Sequence, residues 1–252
     1  MSTLAVGIDI GGTGIKGALV DVHKGELASE RAKVPTPDGG DPDAVLEAVA
    51  EMVAEFGHDA RDVPIGVCFP AIVHHGRTMS AANVSKRWIG LEAEQLFERA
   101  LGRGIHFVND ADAAGVAEAK FGAAKGVDGL VIVTTLGTGI GSAFLYDGVL
   151  IPNSELGHLQ IAGDDAEHLA AFSVKEREDL DWATWAERLQ QFYSTVEFLF
   201  SPDLFIVGGG VSKNHEEFLP LLTLATPIVP AELRNNAGIL GAAWLAARPS
   251  HG

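Results

Sequence analysis

Apolar and polar positions alternate between two periods along the chain. Leu4 to Ile10 is a short β-branched apolar run ending in glycines, which predicts a buried strand entering a turn. Ile15 to Val20 is a second such run and predicts the returning strand of a hairpin. Asp41-Pro42 supplies an N-cap and a first-turn proline. Behind it Val45, Leu46, Val49, Met52, Val53 and Phe56 recur at helical spacing, predicting a helix over 42–56. The same reading predicts strands at 64–69, 105–108, 130–136 and 204–207, and helices at 91–101, 111–121 and 239–247. The longest helix, 182–200, should carry Trp185, Leu189, Phe192, Val196 and Leu199 on one side. Alternation of strands and helices makes the class α/β. The opening hairpin argues against a purely parallel doubly wound sheet.

Composition changes this picture in two ways. Thirty of the 252 residues are glycine, about 12 % against an average near 7 %. They fall in short clusters after apolar runs, not in a linker or a collagen period. Gly12-Thr13-Gly14-Ile15 recurs as Gly137-Thr138-Gly139-Ile140, each time between two apolar runs. This suits two similar lobes, each opening with strand, glycine turn and strand; chance likeness of glycine hairpins is the alternative. Eighteen Lys and Arg against 34 Asp and Glu give a net charge of −16. That excludes a generally basic nucleic-acid binder. The single cysteine, Cys68, allows no internal disulfide and no cysteine-built zinc site. The N-terminus lacks a basic, apolar leader and no segment is apolar enough to span a membrane, so a cytoplasmic protein is expected.

The candidate chemistry sits in and beside the glycine clusters. In Asp9-Ile10-Gly11-Gly12-Thr13-Gly14-Ile15-Lys16, glycines let backbone N–H groups approach phosphate oxygens, with a hydroxyl from Thr13 and a cation from Lys16. Asp9, at a strand end, is placed to hold Mg²⁺ directly or through water. The plainer reading is a tight hairpin whose glycines take positive φ. The second turn, with Gly137, Thr138, Gly139 and Ser142, offers hydroxyl and N–H donors, and Thr134 stands at the place corresponding to Asp9. One turn can hold a cation and the other only anions, which fits metal-assisted phosphoryl transfer. Asp110 closes a strand before a helix, where a carboxylate serves either as general base, oriented by Asn109, or as helix cap. The local sequence favours a cap formed by Asp110 or Asp112. Glu155 and His158 share a face if their turn is helical, and then form a polyol contact, half a metal site or a surface ion pair.

Together these motifs resemble the ROK sugar kinases. The matching elements are DIGGTGIK at 9–16, NDADAAGVAEA at 109–119, LGTGIGSA at 136–143, ELGH at 155–158 and VGGGVS at 207–212, in that family's order over nearly the whole chain. The likeness is stronger still to its polyphosphate-using branch, through Ser80–Lys86, Ile151–Glu155, Glu197–Pro202 and Pro227–Ala231. The resemblance implies a two-lobed actin/hexokinase-like (ribonuclease H-like) α/β fold with a cleft between lobes. The N-terminal lobe would be 1–108, with 238–252 packing back on it, and the C-terminal lobe 109–237.

The resemblance also implies residue roles. Asp110 becomes the base that takes the proton of the sugar 6-hydroxyl. Asn83, Asn109, Glu155, His158 and Glu167 bind sugar hydroxyls alongside it. Asp9, Gly11, Gly12, Thr13, Gly14 and Lys16 face the donor phosphates from one lobe, Gly137, Thr138 and Gly139 from the other, and Gly208 and Gly209 border the donor's far end. Asp9 places Mg²⁺. Many family members carry a zinc site of several cysteines after ELGH; residues 159–181 hold none, so no structural zinc is expected and His158 is assigned to sugar. The expected reaction is phosphorylation of glucose, with mannose a further candidate, from polyphosphate with ATP as second donor. No nucleic acid or membrane partner is expected, and a homodimer is a candidate assembly, the sequence leaving the oligomeric state open. Lys16, Lys86, Arg87, Lys120, Lys125 and Lys213 are candidates for a polyphosphate track. The rival readings are an ATP-only hexose or N-acetylhexosamine kinase and a non-catalytic sugar sensor.

Overall fold

The computed structural model describes residues 3–248. Met1, Ser2 and 249–252, the outer ends of the segments assigned to the N-terminal lobe, lie outside the described residues. Contacts divide the chain into two compact units, one running to Ala117 and resuming at Asn236, the other Glu118–Asn235. In chain order the first unit holds strands β1 (Leu4–Ile10), β2 (Ile15–Asp21), β3 (Glu26–Leu27) and β4 (Ala32–Val34), helix α1 (Pro42–Glu55), strands β5 (Ile65–Phe69), β6 (Val73–His74) and β7 (Arg77–Thr78), helix α2 (Ala93–Leu101) and strand β8 (His106–Asn109). Helix α3 (Asp110–Phe121) leads into the second unit. There follow β9 (Leu130–Leu136), β10 (Ile140–Tyr146), β11 (Val149–Ile151), β12 (Gln160–Ile161), β13 (Asp164–Asp165), α4 (Ala166–Ala170), α5 (Phe172–Arg177), α6 (Trp182–Phe200), β14 (Leu204–Gly208) and β15 (Ile228–Pro230). Helix α7 (Ala237–Ala246) returns to the first unit.

The two main sheets share one plan. The first runs β3-β2-β1-β5-β8 and the second β11-β10-β9-β14-β15. In each, the opening hairpin is antiparallel and the next two strands are parallel to its first strand. The first sheet adds β4, which pairs β2 opposite Ile15–Gly17. β1 and β9 even share a burial pattern, with one half-exposed position next to the last.

Local chemistry sets the elements. Asp41 caps α1, its side chain accepting from the Asp43 amide at 3.3 Å, with Pro42 in the first turn. Val45, Val49 and Met52 bury the inner face of that helix against a core that includes Ile8, Ile15, Phe69, Trp88 and Phe97. α7 lies so close to the sheet that a Cβ on Gly7 or Gly66 would strike the backbone carbonyls of Ile239 and Ala242. β1 and β5 therefore read as apolar runs broken by glycine, and in β1 also by Asp9 near its end. In the second unit Trp185, Leu189, Phe192, Tyr193 and Val196 of α6 are buried with Phe205 and Phe218. Leu199 departs from its expected place and is 52 % exposed. The buried stripe ends at Val196; Phe200 beyond it is also exposed, although its ring meets Phe144 at 5.0 Å.

Candidate functional site

In the first unit, register brings the expected chemistry to neighbouring strand ends. Asp9 of β1 stands opposite Lys16 of β2 and beside Cys68 of β5, which in turn stands beside Val108 of β8. Asn109 and Asp110 come next along the chain. Lys16 Nζ donates to Asp9 Oδ2 at 3.1 Å, and Cys68 Sγ lies 3.6 Å from Asp9 Oδ1. Burial pushes the Cys68 thiol well up, and the nearby carboxylates of Asp9 and Asp110 push the same way. The thiol therefore stays protonated and serves Asp9 as a donor.

The turn between β1 and β2 is held by Gly11 N–H donating to Gly14 O at 3.0 Å and by the Thr36 hydroxyl donating to Gly11 O at 2.5 Å. Gly11, Gly12 and Gly14 lie outside the left-handed region, so positive φ does not explain them. Close approach does. A Cβ on Gly12 would lie 2.7 Å from both Asn83 Cβ and Asn83 O. Gly12 and Thr13 are exposed. Asn83, at φ 59° on an exposed loop, thus sits directly against the first glycine turn.

The cap of α3 falls to Asn109, not to Asp110 or Asp112. β8 runs one residue further than expected and the helix starts one residue earlier. Buried Asn109 accepts the Asp112 amide on Oδ1 at 3.0 Å and donates from Nδ2 to Ala71 O at 3.0 Å. Half-buried Asp110 opens the helix, its Oδ1 accepting the Ala111 amide at 2.8 Å.

In the second unit, Glu155, His158 and Glu167 come together around the second glycine turn. The turn at Leu156–His158 is a 3₁₀ turn that Glu155 only precedes, with φ −127° and ψ 60°. His158 pairs with Asp165 rather than Glu155, Nδ1 to Oδ2 at 2.8 Å. That bond holds the imidazole pKa above its ordinary value, assisted by Glu167 and Glu155. Desolvation raises the Glu155 carboxyl, with Glu167 adding to the shift against His158. Glu167 Oε2 accepts the Ile140 amide at 3.3 Å and lies where a Cβ on Gly139 would strike it, so that glycine gives the carboxylate its room. A Cβ on Gly157 would strike the Ile140 carbonyl oxygen.

Ser173, which sequence reasoning missed, holds the second turn. Its N–H donates to Gly137 O at 3.0 Å and its hydroxyl to Thr138 O at 2.6 Å. Ser142 is buried and holds the ELGH segment instead of lining the turn. Its Oγ donates to Ser154 O at 2.9 Å and accepts the Leu156 amide at 3.0 Å. Hairpin register also corrects the repeat. Ile10 pairs Ile15 across four turn residues, but Leu136 pairs Ile140 across three. Thr135, not Thr134, therefore stands in the place of Asp9, and Thr134 is buried against the Tyr193 hydroxyl at 2.7 Å. The asymmetry of charge survives the correction. Gly208 pairs with Thr135, and Gly209, at φ 83°, lies so close to Leu136 that no side chain fits.

Likeness to known proteins extends over nearly the whole chain. The ROK family profile matches residues 5–173. Polyphosphate glucokinase of Mycobacterium tuberculosis is 48 % identical over 238 residues, 94 % of this chain and 89 % of its own. The crystal structure of inorganic polyphosphate/ATP-glucomannokinase from Arthrobacter sp. strain KM shares 55 % identity at a TM-score of 0.94, covering 98 % of this chain and 99 % of that one. A ROK family glucokinase from Streptomyces griseus, solved with glucose and AMPPNP, is 25 % identical at a TM-score of 0.79, over 96 % and 99 %.

Proposed function

Because this chain belongs to the ROK family and has the actin/hexokinase-like α/β fold of that family's sugar kinases, we propose that it transfers a phosphoryl group from polyphosphate to the 6-hydroxyl of glucose. ATP is the second donor. Likeness to enzymes named for polyphosphate and glucose supports donor and acceptor. Mannose as a second acceptor follows the name of the Arthrobacter relative.

Asp110 takes the proton of the sugar 6-hydroxyl as that oxygen attacks the terminal phosphorus. The bridging P–O bond breaks, and the donor leaves one phosphate shorter. Such a transfer demands positioning and charge stabilisation more than covalent chemistry. Asn83, Asn109, Glu155, His158 and Glu167 are assigned to sugar hydroxyls. The turn from Gly11 to Lys16, the turn from Gly137 to Gly139, and Gly208-Gly209 are assigned to the donor. The observation that carries the catalytic assignment is the capping of α3 by Asn109, which leaves the cap role out of any account of Asp110.

Mg²⁺ fits the first unit. It is held in general by one or two carboxylates, waters and substrate phosphates rather than by a protein cage. Among the described residues no cluster of three or more His, Cys, Asp or Glu side chains could hold a metal. Asp9, with the donor phosphates, would hold the ion, which supplies charge neutralisation on the transferring group. Lys16 would then share or yield Oδ2.

Homodimerisation is part of the proposal. The edge strand β11 exposes Val149 and Ile151, and on α6 Phe198 is 86 % exposed, apolar side chains of the kind partners cover. Among the described residues no helix is long and apolar enough to cross a membrane; a cytoplasmic location belongs to the same proposal.

The test is a grid of glucose and mannose against polyphosphate and ATP with purified protein. Glucose 6-phosphate formed from polyphosphate is the expected result. Turnover with ATP alone would overturn the donor assignment, and none with any pair would favour the sugar-sensing reading.

A further inference from the structure

We propose that Lys33, with Arg31 beside it, forms an additional phosphate subsite, which takes the phosphates of a long polyphosphate chain beyond those held by the Gly11–Lys16 turn. It rests on polyphosphate being a donor. Neither residue belongs to a recognisable motif, and register alone reveals Lys33.

One rung crosses the first sheet as Lys33, Lys16, Asp9 and Cys68, on strands β4, β2, β1 and β5. Residues directly opposite in a sheet project to the same face, and like charges there are destabilising. Lys16 is neutralised by Asp9 at 3.1 Å. Lys33 is exposed and, among the described residues, forms no ion pair. Arg31 is likewise exposed, and its Nη1 donates to the neutral Asn236 Oδ1 at 3.0 Å.

The segment carrying Lys33 is fastened to the phosphate turn. Thr36 donates its hydroxyl to Gly11 O and its N–H to Thr13 O, the latter at 3.5 Å. Lys33 Cε lies 3.5 Å from where a Cβ on Gly14 would stand. Neighbouring strands lie about 4.8 Å apart, so lysines directly opposite on β2 and β4 stand close enough to reach different phosphates of one chain. An unpaired cation beside a paired one, at the edge of a turn assigned to phosphate, is what an extended polyanion requires in a chain of net charge −16.

A lysine on an edge strand also serves to discourage edge-to-edge association. That role needs a charge of either sign and no particular rung. Inverting the sign separates the two explanations.

The experiment compares Lys33→Gln and Lys33→Glu with wild type, and uses Lys24→Gln as a control for lost charge at an exposed turn. Turnover is read with long-chain polyphosphate and with ATP across a salt series, and binding of long-chain polyphosphate is read separately by titration calorimetry. Lys33→Gln is expected to raise the polyphosphate KM at least about threefold and Lys33→Glu about tenfold, with the ATP KM within about twofold. One phosphate contact fewer should flatten the dependence of log affinity on log salt by about 0.7, the increment per contact for a single-stranded polyanion. Unchanged polyphosphate KM and binding in Lys33→Glu, or equal losses for both donors, would overturn the subsite. Wild type that binds polyphosphate through Lys33 without turning it over would overturn the donor assignment and leave the subsite standing.

Discussion

Lys16 Nζ stands 3.1 Å from Asp9 Oδ2 across the first hairpin, so the cation assigned to the donor and the carboxylate assigned to the metal neutralise each other. The geometry follows from register, since Asp9 and Lys16 are directly opposite on β1 and β2. Both side chains are partly exposed, and pairs of this kind contribute about 0.2–1 kcal/mol. The pair therefore matters less to stability than to what it releases when donor and metal arrive.

Replacing Lys16 by Gln should accordingly leave the fold intact and weaken the donor. We expect KM for polyphosphate and for ATP to rise about tenfold, the worth of a charge-assisted contact of about 1.4 kcal/mol. Glucose KM should stay within twofold. The Mg²⁺ needed for half-maximal turnover should fall, because Asp9 is no longer shared. Steady-state kinetics over a Mg²⁺ titration measures both, and unchanged donor constants would contradict the assignment.

Gly12→Ala probes the contact between the turn proposed for the donor and the Asn83 loop proposed for sugar. The new methyl would lie 2.7 Å from Asn83 Cβ and O, closer than packed atoms stand. Either the turn or the Asn83 loop must shift. Donor and glucose constants should both worsen, with kcat/KM down at least about tenfold, as small misplacements cost in positioned reactions. An alanine variant with wild-type kinetics would mean that the two segments are not coupled.

Glu155 gives a pH-dependent prediction of stability. Its carboxyl pKa is raised in the fold, chiefly by desolvation. A group of this kind favours the fold below its unfolded pKa, and that contribution is lost as pH rises through the folded value. At neutral pH the buried charge is a liability. Glu155→Gln should raise the melting temperature at pH 7, and the gain should vanish toward pH 4, where wild type is protonated as well. The glucose constant should worsen at the same time, the usual exchange of stability for function at a site. Calorimetric scans across pH read this, and a gain that grows toward acid would refute it.

His158 has the same sign of pH dependence, but here the charged form is the one the fold favours. Its hydrogen bond to Asp165 raises the imidazole pKa. Stability from the charged pair is full below about 6.5, the ordinary histidine value, and is lost as pH rises through the folded value. Asp165→Asn should bring the His158 titration, followed by NMR of the ring, back toward 6.5. An unmoved titration would show that Glu155 and Glu167 alone hold the proton.

What sequence revealed and what it hid divide along the length of the element. The 182–200 helix and the 130–136 strand were read to their ends, because nineteen and seven residues give a period time to show. The repeated GTGI was legible, but its register was not. Four identical residues align by offset, whereas the two turns differ by one residue, which moves the counterpart of Asp9 from Thr134 to Thr135. Leu199 is misplaced because the buried stripe of α6 ends at Val196 and the last turn of the helix stands exposed, which a regular period does not mark. Asp165, Ser173 and Lys33 stayed hidden for one reason. Each acts from a hairpin of two-residue strands, a six-residue helix or a three-residue strand, too short for any pattern. That Asn109 caps α3 rests on a hydrogen bond that no spacing encodes.

The central claim is that Asp110 is the base of a polyphosphate-dependent glucose phosphorylation. Its most direct test is the turnover of Asp110→Asn, measured as glucose 6-phosphate formed from polyphosphate. A general base contributes at least about a hundredfold, so kcat should fall by that factor or more, with the constants for glucose and polyphosphate within about twofold of wild type. Turnover near the wild-type rate would contradict the account.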